Sequence, residues 1–373
     1  MSFFHASRRA TAAMLLAAVC LVAPLAAFAA GSYTLEQVRT YAFPQALVAA
    51  ENDEQVAWVK SDAGRNNIWV ANGPDFKPRQ LTTYAHDDGQ EISSLGISDD
   101  GRRLVFVRGG EHGGNWDRSL PINPTSSPVA TKVEIHAIDV AGGAPRRLAE
   151  GDYPTLSPDG RQVAFIKDSA AWIVPQDGSA EARKLFTTRG RVGSLAWAPD
   201  SKRLAFVSSR ESHAFVGIYR DDDTPILWLA PDAARDGSPT WSPDGRQVAF
   251  VRSNGDGGAP KARLQFQPRP WAIWVADAQT GRGQQRWAGG ETLRDSLGGG
   301  LHWAEGGRLV FQSYQDGWQH LYALPAAGGK PTLLTPGDFM VEHFTLSADR
   351  RHVVYNANTG ALPVGLVNLD QGI

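Results

Sequence analysis

The sequence predicts an all-β fold, a seven-bladed β-propeller in which six blades are clear and the seventh is incomplete. Three observations carry the prediction: a turn phrase returning every roughly forty residues, strands apolar on both faces, and tryptophans at equivalent places in the repeat. The phrase runs from Ser242 to Val251 as SPDGRQVAFV and stands almost unchanged from Ser157 to Ile166. Looser copies begin at Ala50, Ser98, Ala198, Ala304 and Ser347, so successive starts lie 48, 59, 41, 44, 62 and 43 residues apart.

The chain begins with a targeting pattern. Arg8 and Arg9 precede an apolar run from Ala12 to Leu25 and the small residues Ala27, Ala29 and Ala30, the layout of a signal peptide over 1–30 cleaved near Ala29 or Ala30. The run is too short and alanine-rich for a membrane span. Cys20, the single cysteine, lies inside it. The mature chain therefore has no thiol for a disulfide or a thiolate zinc site. A bacterial protein exported to the periplasm or beyond is expected, with no membrane association after cleavage. Residues 31–45 form a lead-in, where Thr34 with Gln37 three positions later gives the capping pattern of a short helix.

Within the propeller, 46–373, one unit shows how the blade arises. Pro239–Trp241 makes a first strand. Ser242-Pro243-Asp244-Gly245 then turns the chain, because Pro presets φ, Asp bonds locally and Gly accepts a positive φ. Arg246–Val251 returns as a second strand and Trp271–Ala276 makes a third. The neighbouring unit supplies the fourth, Gly142–Leu148, ahead of Asp152–Leu156, and four short antiparallel strands per period make a propeller blade. Val248 and Phe250 on one face, with Ala249 and Val251 on the other, require cover on both sides, which face-to-face stacking of blades provides. Trp58, Trp197, Trp241 and Trp303 recur around the first two strands, and Trp69, Trp172, Trp228 and Trp274 in or near the third. Packing between blades explains this recurrence better than a ligand-stacking platform does.

Charge is nearly balanced, 37 basic against 39 acidic residues, which excludes a nucleic-acid surface. No Gly-x-Ser-x-Gly elbow occurs, and no alternation of long helices with buried strands that would house one. The histidines are scattered without a His-x-x-x-His pair, and no metal or cofactor is expected. Asp221-Asp222-Asp223 reads as a solvated turn. Two insertions, 109–127 and 253–268, interrupt the repeat, and loops on a rigid scaffold are where binding residues gather. Glu111 and His112 of the first insertion are candidate substrate-binding residues. So are Arg210, Glu211 and His213, at the end of a second strand, where Glu211 could meet a substrate amine or pair with Arg210.

The repeated Ser-Pro-Asp-Gly-Arg-x-Val-Ala-Phe with Gly142-Gly143-Ala144-Pro145-Arg146-Arg147-Leu148 resembles the propellers of TolB-like proteins and of the prolyl oligopeptidase (S9) group of serine peptidases. The stretches 210–219, 235–245 and 337–346 are similar to the N-terminal region of bacterial dipeptidyl peptidase IV and acylaminoacyl-peptidase-like enzymes. The resemblance covers roughly 31–360. It implies a propeller that gates and selects short peptides for a C-terminal α/β-hydrolase domain bearing the Ser, Asp and His of the triad. None of the three maps onto this chain, so it is not expected to be catalytic by itself. The paired glutamates that hold a substrate amino terminus in dipeptidyl peptidases have no counterpart, and Glu211 is only a stand-in. After Gly360 the repeat offers one further strand, Val364–Leu369, and the expectation is a truncated or frame-shifted peptidase product. The alternatives are a stand-alone TolB-like periplasmic adaptor with a protein partner and a propeller lyase or glycosidase.

Overall fold

The computed structural model describes residues 34–39, 42–110, 132–255, 268–289, 292, 298–358 and 364–370. The expected signal segment, 1–30, Glu111, His112 and most of both insertions lie outside them. The chain divides into two compact units, Met1–Phe43 and Pro44–Ile373. In the first, the helix Leu35–Arg39 is closed by a reciprocal cap: Thr34 N–H donates to Gln37 Oε1 at 2.9 Å and Gln37 N–H to Thr34 Oγ1 at 3.1 Å. These bonds satisfy two of the donors that a helix start leaves orphaned.

The second unit is built of antiparallel strand groups over 43–80, 92–150, 152–186, 191–228, 234–288, 298–333 and 341–368, the first beginning at the unit boundary. The strands of each group pair in chain order. Six groups have four strands and the last has three among the described residues, Val341–Leu346, His352–Ala357 and Val364–Asn368. One parallel pairing, Ala214 with Arg235, joins the fourth and fifth groups into one sheet. From the second group on, the opening strand of a group packs on the opening strand of the next, which makes these the inner strands of a propeller arrangement.

The turn phrase folds by local bonding. Ser242 Oγ donates to Asp244 Oδ1 at 2.6 Å and accepts Gln247 N–H at 2.9 Å, while Asp244 Oδ1 takes Arg246 N–H at 3.0 Å. Ser98 with Asp100, Ser157 with Asp159 and Ser347 with Asp349 repeat the 2.6 Å bond. The hydroxyl donors hold the carboxyls of Asp100, Asp244 and Asp349 below their ordinary range. Gly245 closes the turn at φ +65°, where a side chain would be strained.

From the second group on the inner strands carry a register shift, and one of them is longer than the sequence suggests. The strand expected over 239–241 spans Ala234–Trp241, with its register shifting between Gly237 and Thr240 and Ser238 at φ +51°. Ser94, Tyr153, Ser194 and Gly300 hold the same place in four other groups, at φ from +48° to +62°. A bulge adds one residue to one strand and sharpens its twist. Tyr153, Ser194, Ser238 and Gly300 are consequently exposed, while the residues on either side of each are buried or half-buried.

The core is divided among the junctions. Six hydrophobic clusters lie one each between the first and second groups, the second and third, and so on to the sixth and seventh. The alternation of a strand decides which junction a side chain joins. Leu104 and Phe106 face the first group, whereas Val105 and Val107 face the third. The tryptophans complete this packing. Trp197, Trp241 and Trp303 donate their indole N–H to Thr155, Ala196 and Thr240 carbonyls of the preceding group at 3.1, 3.0 and 3.0 Å.

Candidate functional site

Antiparallel pairing puts the start of each first strand, the end of the second and the start of the third at one rim, away from the Ser-Pro-Asp-Gly turns. At that rim, where the fourth group meets the fifth, an open cleft of about 1020 Å³ is lined by Arg189, Arg191, Arg210, Glu211, His213 and Arg235, with Gly190, Ser209 and Ser212 between them.

The turn between the strands Leu204–Ser209 and Ala214–Tyr219 brings together three of the five residues singled out in the sequence. Arg210 N–H donates to His213 O at 2.8 Å and closes it. The Arg210 guanidinium lies over the Phe215 ring at 5.0 Å, with Nη1 3.4 Å from His213 Nε2. The His213 ring is 4.9 Å from Phe215, and Ser212 Oγ is 3.0 Å from His213 Nδ1. Among the described residues Arg210 makes no ion pair with Glu211, and its buried Nε finds no hydrogen-bond partner. Glu211 is exposed, and its backbone carbonyl accepts Arg235 Nη2 at 2.5 Å.

Arg189 and Arg191 reach the cleft because of the glycine between them. A Cβ on Gly190 would lie 2.5 Å from Ser209 O, so only glycine lets the linker cross so near the neighbouring strand. Thr188 Oγ1 fixes the crossing through Ser208 Oγ at 2.7 Å and Gly190 O at 2.9 Å. Arg235 is set by the parallel pairing with Ala214. Behind it Arg252 and Asp236 form a buried bidentate pair at 2.6 and 2.8 Å, with Arg252 also over Trp274 at 4.2 Å. Burial pushes the Asp236 carboxyl up and Arg252 opposes the rise. That pair is neutral as a unit and supports the cleft without charging it.

Among the described lining residues Glu211 brings the one carboxylate, and Arg189, Arg191 and Arg210 stand around it, with Arg235 also lining the cleft. The sequence singled out Arg210, Glu211 and His213 because one short turn holds them. Arg189, Arg191 and Arg235 escaped notice because only the neighbouring of two groups gathers them. Arg191 and Arg235 do stand at nearly the same place in the repeat, at the head of an inner strand, and that is the signal that could have found them.

The acidic run has a local role. Asp221 Oδ1 accepts the N–H of Asp223 and Thr224 at 3.0 and 2.7 Å, and Asp222 accepts the Tyr219 hydroxyl at 2.6 Å. Burial, with that bond second, pushes the Tyr219 hydroxyl up to about 12. Among the described residues no His, Cys, Asp and Glu side chains cluster in a way that could hold a metal ion.

Residues 287–365 match the family model for the dipeptidyl peptidase IV (DPP IV) N-terminal region. No curated protein matches the chain. Among solved structures, a prolyl endopeptidase is similar at 13% identity and TM-score 0.62 over 90% of this chain and 49% of its own. Porphyromonas gingivalis dipeptidyl peptidase 4 is similar at 17% identity and TM-score 0.57, over 85% of this chain and 50% of its own. An oligogalacturonate lyase from Vibrio parahaemolyticus gives 12% identity and TM-score 0.57, over 86% of this chain and 88% of its own. At such identities the likeness is one of fold, and the fold is the propeller. The chain spans about half the length of the two peptidases it resembles.

Proposed function

We propose that this chain is the substrate-gating propeller portion of an exported serine exopeptidase of the S9 group. The observation that carries the reading is the match of 287–365 to the dipeptidyl peptidase IV N-terminal region. It falls largely on the sixth and seventh strand groups, the scaffold itself, and a likeness of fold to two peptidases accompanies it. The cleft at the rim supports a role in choosing short peptides, being large enough for a few residues and lined by charged groups. Hydrolysis belongs in this reading to an α/β-hydrolase domain as partner, and the chain alone binds peptides without cleaving them. Export follows from the Arg8–Ala30 pattern.

The test uses the full chain with aminoacyl- and dipeptidyl-chromogenic substrates, alongside calorimetric titration of short peptides. Peptide binding without turnover is the expected result. Turnover by this chain alone overturns its assignment as a non-catalytic portion, and absence of any peptide binding overturns the gating role. Mass spectrometry of the periplasmic fraction should show cleavage near Ala29 or Ala30.

A second reading, a stand-alone binding propeller, is favoured by one observation. The likeness extends over 88% of the Vibrio lyase, so a propeller of this size can be nearly a whole protein. On that reading the chain retains a macromolecular partner in pull-down and ignores short peptides.

A further inference from the structure

We infer that the cleft between the fourth and fifth strand groups is a carboxylate-binding site that takes acidic peptides by their negative end. The inference rests on the peptide-gating reading and adds which part of the peptide is held. It departs from the expectation that Glu211 meets an amine.

Elsewhere on the molecule arginines near carboxylates pair with them, as Arg108 does with Asp88, Arg147 with Glu134, Arg203 with Asp200 and Arg252 with Asp236. In the cleft, Arg189, Arg191 and Arg210 have no carboxylate within ion-pair distance among the described residues, although Glu211 is beside them. Keeping three guanidiniums together without a counter-charge costs repulsion, which an anionic ligand would relieve.

The cleft also has fixed parts. Arg210 is held over Phe215 and against His213, which restricts its fork and reduces what binding must order. Its buried Nε donor lacks a partner among the described residues. The required glycine at 190 places Arg189 and Arg191 on either side of one tight crossing. Guanidinium and carboxylate match as two parallel charge-assisted hydrogen bonds, a fit that a substrate ammonium cannot make with any of the four. Among the described residues a ligand ammonium would have only Glu211 and would feel the positive Arg189, Arg191 and Arg210 nearby. The charge balance therefore favours the acid end.

A terminal carboxylate and an aspartate or glutamate side chain share this chemistry. Calorimetric titration of the full chain with acetyl-tetra-alanine as free acid, the same peptide as its amide, and an acetylated Ala-Glu-Ala amide separates the two. The free acid, the Glu-containing amide, or both should bind at least about tenfold more tightly than the tetra-alanine amide, about the worth of one well-made ionic hydrogen bond. Whichever acidic peptide binds identifies the source. Binding should weaken as sodium chloride is raised, and the double variant Arg189→Ala with Arg191→Ala should lose the preference. Both residues are exposed, so folding is preserved, and Arg161→Ala at the other rim serves as control. Equal binding of acid and amide overturns the inference while leaving peptide gating intact. Tighter binding of unacetylated amides assigns the cleft to an amino terminus through Glu211 and also overturns it. Failure of every peptide, with or without binding of tri-galacturonate, removes the gating reading and this inference together.

Discussion

Arg350 Nη2 lies 3.3 Å from Glu51 Oε1 across 299 residues of sequence, and the pair joins the last strand group to the first. Each of the six other junctions has a hydrophobic cluster. Here the described residues supply this ion pair, while Val354, Val364 and Leu366 of the last group are 37%, 66% and 66% exposed. By the strand alternation Val354 corresponds to Val105, Ala249 and Val310, which are fully buried. Local opening follows the least buried surface. We therefore expect amide hydrogens of 352–357 and 364–368 to exchange well before those of 204–209 and 308–313. Equal protection of the two sets would overturn this. Arg350→Ala should cost less than about 1 kcal/mol, as exposed ion pairs do.

Glu51 also bears on Asp99. Burial, then Glu51 and Asp100, push the Asp99 carboxyl up to about 6, with Arg350 opposing. A carboxyl whose folded pKa exceeds its unfolded one binds its proton more tightly when folded. Its contribution to stability is therefore greatest at low pH and falls as pH rises from about 4 to about 6. Asp99→Asn should flatten that fall and stabilise the protein at pH 7 by about 1 kcal/mol, the full shift being discounted for partial exposure. Chemical denaturation across this pH range measures it, and a destabilised Asp99→Asn protein at pH 7 would refute the account.

The indole clasps can be removed in two steps. Trp241→Phe keeps the ring volume nearly filled but leaves Ala196 O without its donor, at a cost of about 1–3 kcal/mol. Trp241→Ala adds a cavity and should cost about 3–5 kcal/mol. A urea midpoint for Trp241→Phe equal to that of the unsubstituted protein would show that the hydrogen bond contributes nothing.

Asp236 and Arg252 should behave as a unit. Asp236→Ala strands a guanidinium that is 8% exposed, for about 3–5 kcal/mol. Replacing both, Asp236→Leu with Arg252→Met, should cost less than either single change. If the double variant is as unstable as the sum, the pair is not coupled in the way its geometry implies.

The turn phrase was legible because its bonding is local: Ser, Asp and Gly satisfy one another within six residues. Stacking was legible in Val248 to Val251, which leave no face for water, and the last strand in Val364–Asn368. What stayed hidden depended on distant partners. Nothing around Trp241 says that a carbonyl 45 residues earlier will take its N–H. The bulges were hidden too, since Ser94, Ser194 and Ser238 adopt a conformation that serine does not advertise, and the bulge at Ser238 is why its strand was read as three residues. In the cleft, Arg210, Glu211 and His213 were found together because one turn holds them, whereas Arg189, Arg191 and Arg235 needed the fold to meet.

The division of core residues by strand alternation also separates their energetics. Val248 belongs to the cluster shared with the fourth group, and Ala249, the next residue, to the cluster shared with the sixth. Sequence neighbours here have no packing partners in common. Substitutions at the two positions should therefore add in free energy, while substitutions at Val248 and Ala205, far apart in sequence, should couple because one cluster holds both. Distance along the chain is then no guide to epistasis in this molecule; the parity of a residue within its strand is.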